Sequence, residues 1–259
     1  MGLEEQLFDT VLQSSIGESV RLISLGANIN AKSKNGNTPI HMAVLCRDAL
    51  MVKTLAKLKT DVNIKNSLGF TPLFIATFSN NLEIVKILLC LGARRNISDS
   101  SGNLPIHIAA RTGYQDIVKV LLSEDTVNEY NHDGLTPFHL AVLNNHIDIV
   151  ETLIIYCHTD INIQDRKNGN TALIFAVQKD NLQIVKFLLK SGADFSKRNK
   201  EGKTFNEFAI SSEMKSKVSK YGKLLSKLNS DPNQSISPMP LVRKRKKYLS
   251  ESSSENDDF

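Results

Sequence analysis

The sequence predicts an all-α fold: a solenoid of helix pairs joined through β-turn fingers, followed by a disordered C-terminal tail. Two observations predict the solenoid. The phrase NGNTPIHMAV at Asn35 returns as LGFTPLFIAT at Leu68, SGNLPIHIAA at Ser101, DGLTPFHLAV at Asp133, NGNTALIFAV at Asn168 and, degraded, EGKTFNEFAI at Glu201. Its glycines, Gly36, Gly69, Gly102, Gly134, Gly169 and Gly202, are separated by 33, 33, 32, 35 and 33 residues, and a fixed period of that size means one supersecondary unit repeated side by side. A third observation sets the tail apart. From about Asn229 the apolar periodicity gives way to Pro, Ser and charge, a composition that buries too little apolar surface to fold. The expected boundaries are 1–228 for a repeat domain of six to seven units, divergent caps included, and 229–259 for the tail.

Taken in chain order, residues 3–30 read as a divergent first unit, because SVRLISLGANIN echoes the later IVKFLLKSGADF. Residues 102–128 give the pattern of a full unit. Gly102 supplies the positive φ of a tight turn, Pro105 opens a helix where a missing N–H costs nothing, and the small Ala109 and Ala110 let neighbouring helices approach. Gly113 closes that helix in the left-handed region. Asn80, Asn145 and Asp180, residues that tolerate this conformation, hold the equivalent place; Arg47 does not suit it and predicts a looser turn. The second helix, QDIVKVLL, puts Ile117, Val118, Leu121 and Leu122 on one buried face. No unit buries that face alone, so stacked neighbours must supply the core. After Ala209, Met214, Val218, Tyr221, Leu225 and Leu228 form the apolar stripe of a capping helix with a lysine-rich outer face. The finger tips are expected at Asn35, Phe70, Asn103, His132, Lys167 and Lys200.

A period near 33 around a T-P-L-H-x-A core resembles the ankyrin repeat, from about Leu22 to Ala209. The resemblance implies a protein-binding module without catalysis. Independently, the chain has no glycine-rich phosphate loop, G-x-S-x-G elbow or H-E-x-x-H. His132, His139 and His146 are evenly spaced by seven, which is roughly 10 Å along a helix and too far for one ion. His41, His107 and His139 share one repeat position and are expected to bond backbone of a neighbouring repeat, while His132 and His146 are expected to face solvent. The three cysteines lack ligand spacing and read as reduced, mostly packed thiols. No cofactor or metal is expected. The acidic start MGLEEQLFDT is unlike a signal peptide, Gln6 argues against myristoylation, and no apolar run is long enough for a membrane helix.

Residues 131–195 narrow the resemblance. TDINIQDRKNGNTALIFAV carries two extra residues before its turn glycine and follows YNHDGLTPFHLAV. This is similar to the IκB family of NF-κB/Rel regulators, whose later repeats have an enlarged turn, and within it to the nuclear, atypical members. The resemblance implies a Rel-type dimer as protein partner and modulation of transcription. Two departures from inhibitory members stand out: the N-terminus has no D-S-G-x-x-S, and the segment after the last repeat is basic. A basic segment cannot repel DNA, so both favour a co-regulator that tolerates DNA in the complex. The rival reading is an ankyrin adaptor or scaffold with an unrelated client, a pathogen-encoded mimic included. The chain is expected to be monomeric, and direct nucleic-acid binding through Lys215–Lys227 is not expected, since aromatic interleaving is missing. Finger residues with bulk or charge that the turn does not need are the candidate partner contacts: Phe70, Tyr130, His132, Arg166 and Lys167. The aromatics are the expected hot spots.

The chain's net charge is +5. Residues 196–228 hold nine Lys/Arg against three Glu, and the tail holds five of each sign. Arg243, Lys244, Arg245, Lys246 and Lys247 form a nuclear-import candidate, giving an expected distribution between nucleus and cytoplasm. Ser252 and Ser254 each precede an acidic residue by three positions and are phosphorylation candidates that would add charge beside the basic run.

Overall fold

The computed structural model describes residues 2–156 and 159–229. The chain divides into two compact units, one of Met1–Ala109 with Asp116–Leu121, the other of Ala110–Gln115 with Leu122 onward. In the first, α1 (Leu3–Leu12) pairs with α2 (Ile16–Ser24), α3 (Pro39–Leu45) with α4 (Ala49–Lys57), and α5 (Pro72–Phe78) with α6 (Leu82–Cys90). The division cuts across the next pair, α7 (Pro105–Thr112) and α8 (Gln115–Leu121). The second unit continues with a short α9 (Glu124–Val127), then α10 (Pro137–Leu143) with α11 (Ile147–Tyr156), and α12 (Ala172–Gln178) with α13 (Leu182–Lys190). A 3-10 turn at Phe205–Phe208 precedes α14 (Ser212–Asn229). Among the described residues there is no named strand, only an isolated bridge between Gln164 and Thr171.

The repeated Thr-Pro explains where the first helix of each pair begins. Thr38, Thr71, Thr136 and Thr171 are extended N-caps, and the Oγ1 of Thr71 accepts from Phe74 N–H at 3.2 Å. At two of these caps the bond is reciprocated by histidine. Thr38 N–H donates to His41 Nδ1 at 3.2 Å, and Thr136 N–H to His139 Nδ1, also at 3.2 Å. Histidine here does what Glu does in a capping box, and Glu207 does the same for Thr204 N–H in the last unit at 2.9 Å. With Nδ1 accepting, the proton sits on Nε2, which reaches the next finger: His41 to Phe70 O and His139 to Ile163 O, both at 3.0 Å. The expected backbone bond between repeats is therefore present at both positions.

Each first helix ends in the left-handed region at Ser14, Arg47, Asn80, Gly113, Asn145 or Asp180. Arg47 overturns the expectation of a looser turn. It has φ +59 and the same closure as its counterparts, Arg47 N–H to Val44 O at 3.0 Å and Asp48 N–H to Ala43 O at 2.9 Å. Its guanidinium donates to Ser79 O at 3.0 Å in the neighbouring repeat. At Gly113 a second reason for glycine emerges, because a Cβ there would meet the His146 ring at 2.6 Å. That ring is half-buried and bonds Arg111 O at 3.1 Å, so His146 is a packing residue, not the solvent-facing group expected.

The core follows the apolar stripes. Ile117, Val118 and Leu121 are buried, but Leu122 leaves the helix at φ −54, ψ 130 and is half-buried. Met214 and Val218 of the capping helix are buried; Tyr221, Leu225 and Leu228 lie outside the described side chains. Cys46 and Cys90 are exposed, contrary to the packed thiols expected, because one caps α3 and the other ends α6. Cys157 and, beyond Asn229, the predicted tail with Arg243–Lys247, Ser252 and Ser254 lie outside the described residues.

Candidate protein-interaction surface

A finger is organised from its base by one Asn or Asp. Asn66 Oδ1 accepts from Leu68 and Phe70 N–H at 3.0 and 2.9 Å, Asp99 Oδ1 from Ser101 and Asn103 at 2.9 and 2.7 Å, and Asn199 Oδ1 from Glu201 and Lys203 at 3.0 Å. These side chains satisfy the turn's own donors, as Asx turns do. The two residues before each glycine then form the tip: Lys34–Asn35, Ser67–Leu68, Ser100–Ser101, His132–Asp133 and Lys200–Glu201. Phe70 and Asn103 are consequently not tips. Asn103 is buried, and Phe70 is half-buried with its ring stacked on Phe74 at 4.7 Å between centroids. The exposed apolar residue of that finger is Leu68, 63% accessible.

In the second unit the enlarged finger keeps the same plan with one more residue at its tip, Arg166–Lys167–Asn168. Asp165 absorbs the change by using both carboxylate oxygens. Oδ2 accepts from Lys167 and Asn168 N–H at 3.1 and 2.9 Å, and Oδ1 from Asn170 N–H. The carboxylate is buried, 3% accessible. The other additional residue is taken up before the finger, where α11 runs 10 residues against 9 for α4, α6 and α13.

Three of the five candidate contacts come together here. Arg166 N–H donates to Gly134 O at 3.0 Å, fixing this finger against the preceding one. The Arg166 guanidinium lies 4.2 Å from the centre of the Tyr130 ring, a cation–π contact. Tyr130 donates its hydroxyl to Gln164 O at 3.0 Å. Burial raises the phenol's pKa above its ordinary value, and the Arg166 charge opposes that rise. Both the ring and the hydroxyl of Tyr130 are thus already engaged within its own protein. Lys167 pairs with Asp133 at 2.9 Å with both side chains exposed, and His132 is exposed at the neighbouring tip.

The sequence reading missed a connection between fingers. The residue at the outer base of one finger reaches the backbone of the next: Lys32 to Lys65 O at 3.3 Å, Lys65 to Ser98 O at 2.7 Å, Tyr130 to Gln164 O, and Gln164 to Arg198 O at 2.9 Å. The signal was present as a long side chain four or five residues before Gly36, Gly69, Gly134, Gly169 and Gly202, with Ser98 in that place before Gly102. Among the described residues no group of three or more His, Cys, Asp or Glu could hold a metal ion, and no helix is long and apolar enough to cross a membrane.

Residues 10–99, 91–165 and 152–235 match the ankyrin repeats (3 copies) family. The chain belongs to the ankyrin-repeat family. Its fold is that of the ankyrin repeat domain of Bcl-3, a unique member of the IκB protein family, with TM-score 0.77 at 24% identity over 82% of this chain and 97% of that one. Among curated relatives, the mouse ankyrin repeat and SAM domain-containing protein 6 is 44% identical over 30% of this chain. An IκB-like protein C2 of Microplitis demolitor bracovirus is 35% identical over 30% of this chain and 45% of its own length. The mouse nuclear factor NF-κB p105 subunit is 33% identical over 26% of this chain and 7% of its own length. The chain spans 9% of the mouse SAM-domain protein. These similarities make it an ankyrin-repeat protein-interaction module with IκB-like resemblance.

Proposed function

We propose that the protein is an IκB-like regulator that binds Rel-type transcription-factor dimers and modulates transcription, distributed between nucleus and cytoplasm. The observation that carries this reading is the similarity to both an IκB-like protein and an NF-κB subunit. The enlarged finger supports it by presenting Arg166 and Lys167 on a backbone locked by Asp165. Tyr130 and Arg166 act as one contact, since removing the ring also frees the guanidinium. His132 and Lys167 flank that contact, and Phe70, half-buried beneath its stack with Phe74, is a separate contact of the first unit. Basic residues after the last repeat leave DNA on the partner unopposed.

The test is a titration of a Rel dimer, with and without its DNA site, against the wild-type chain, Tyr130→Ala and Arg166→Glu. Tyr130→Ala is expected to cost at least about 1 kcal/mol of binding, and Arg166→Glu to slow association mainly at low salt. Wild-type protein that fails to bind rejects the reading. Binding abolished by DNA leaves a plain inhibitor. The 44% identity to a protein combining ankyrin repeats with a SAM domain favours a second reading, an adaptor with an unrelated client; affinity purification with mass spectrometry that recovers another partner and no Rel protein would establish it.

A further inference from the structure

In the second unit, the fingers around residues 164–169 and 198–203 carry more positive charge than they neutralise. Lys167 is paired with Asp133 and Lys203 with Glu201. Arg166, Lys197, Arg198 and Lys200 are exposed and have no ion pair among the described residues. Arg166, Arg198 and Lys200 are tied into two bonded fingers. Lys200 N–H donates to Asn168 O at 2.8 Å, the Lys200 amine donates to Arg166 O at 2.5 Å, and Arg198 donates to Gly202 O at 2.6 Å. Backbone carbonyls orient Arg198 and Lys200, and Asp194 and Glu207 lie within electrostatic reach of Lys197 and Arg198 without forming ion pairs with them among the described residues. Like charges fixed this near repel, and an anionic chain laid across them relieves the repulsion. Two arginines in the set suit carboxylate or phosphate oxygens, which their planar forks bind in pairs.

We infer that this surface is a docking site for the acidic, phosphorylatable segment Glu251–Asp258 of the same chain. The segment carries Glu251, Glu255, Asp257 and Asp258 with Ser252, Ser253 and Ser254 among them, and no cation. Residues 230–250 separate it from Asn229, the last residue of α14, and a random-coil chain of 21 residues spans roughly 25 Å. Tethering raises the local concentration of the segment into the millimolar range, enough to make modest ion pairing effective. Phosphate on Ser252 or Ser254 adds about −1.5 to −2 charges each and tightens the contact. Docking covers Arg166, so the segment competes with whatever protein uses that finger. That competitive role rests on the proposed function; the docking itself does not.

The experiment uses the full chain, labelled with ¹⁵N, and compares wild type with a variant carrying E251Q, E255Q, D257N and D258N. Docking predicts amide shift differences at residues 164–168 and 197–203. They should shrink at least threefold between 50 mM and 500 mM salt, vanish in an R198Q/K200Q background, and grow when Ser252 and Ser254 are phosphorylated. The dispersed amide spectrum of each variant reports that it is folded. Differences confined to residues 243–247 would mean that the acidic segment pairs with the basic run beside it, and would overturn the proposal. Finger shifts that survive R198Q/K200Q, or no shifts at all, would overturn it equally. None of these outcomes depends on a Rel dimer, so failure here and failure of the titration are separate results.

Discussion

The finger at residues 66–69 in the first unit and the finger at 165–169 in the second are built on the same device and differ in what it holds. Asn66, a neutral amide, satisfies two N–H groups and carries a Ser67–Leu68 tip. Asp165, a buried carboxylate, satisfies three and carries Arg166–Lys167–Asn168. One added residue brings one more orphan donor, and the answer is a second acceptor oxygen with a full charge. Tip composition is free to vary because the base residue does the structural work.

The sharpest way to break this comparison is to remove the base. Asp165→Ala leaves three donors without their acceptor, the Asn170 N–H among them buried, and should destabilise by about 3 kcal/mol or more, against about 1 kcal/mol for Asn66→Ala. Urea unfolding midpoints compare the two directly. Equal losses would show that the charge adds nothing.

The histidines offer a pH-dependent version. Burial lowers the His139 pKa to about 4, with its bond to Ile163 O and the Asp165 charge opposing the drop. The folded protein therefore binds that proton less readily than the unfolded chain, whose histidine titrates near 6.5. Between those values the unfolded state holds more protons, so stability rises with pH. It is complete above pH 6.5 and lost as pH falls towards 4, by on the order of 3 kcal/mol. Burial lowers the His41 pKa too, against its bond to Phe70 O, so it adds in the same direction. Thermal melts of wild type and His139→Phe between pH 7 and pH 4.5 measure this. The variant should show the shallower slope, as Phe74 already occupies the equivalent place at one repeat.

Glycine separates interior fingers from the last one. Gly36 has φ +71, and a Cβ there would lie 2.5 Å from Ser67 Oγ and 2.6 Å from Ser67 N. Gly202 has φ +76 with nothing within 4 Å. Gly202→Ala meets backbone strain alone, about 1 kcal/mol, whereas Gly36→Ala must also displace the next finger and should cost about 2 kcal/mol or more. The smallest effect belongs to Lys167→Ala. It breaks an exposed pair with Asp133 and should change stability by less than about 0.5 kcal/mol, although it sits two residues from Asp165.

What the sequence made legible was whatever one repeat needs by itself. The turn glycines, Thr-Pro starts, left-handed closures and apolar stripes each answer a local backbone demand, and each recurs. The repeat-position histidines were legible because they recur too. What stayed hidden depends on a partner side chain or carbonyl that the motif does not name, a few residues or a full period away. Tyr130 looked like a spare aromatic until Gln164 accepted its hydroxyl and Arg166 covered its ring. Phe70 looked like a tip until Phe74 stacked on it. Arg47 looked like a poor cap, yet its long side chain reaches Ser79 O in the neighbouring repeat. The enlarged finger was visible in the glycine spacing, but the two oxygens of Asp165 that hold it were not.

The histidine bonds also impose a direction in time. His41 waits for Phe70 and His139 for Ile163, acceptors that leave the ribosome roughly 25 to 30 residues later, seconds after the helix they secure. Each such repeat emerges with its cap half closed and is finished by its successor. Glu207 stands in the same place in the last repeat and, among the described residues, bonds Thr204, three residues behind it. That cap closes on a residue already synthesised, so its timing differs from that of the histidine caps.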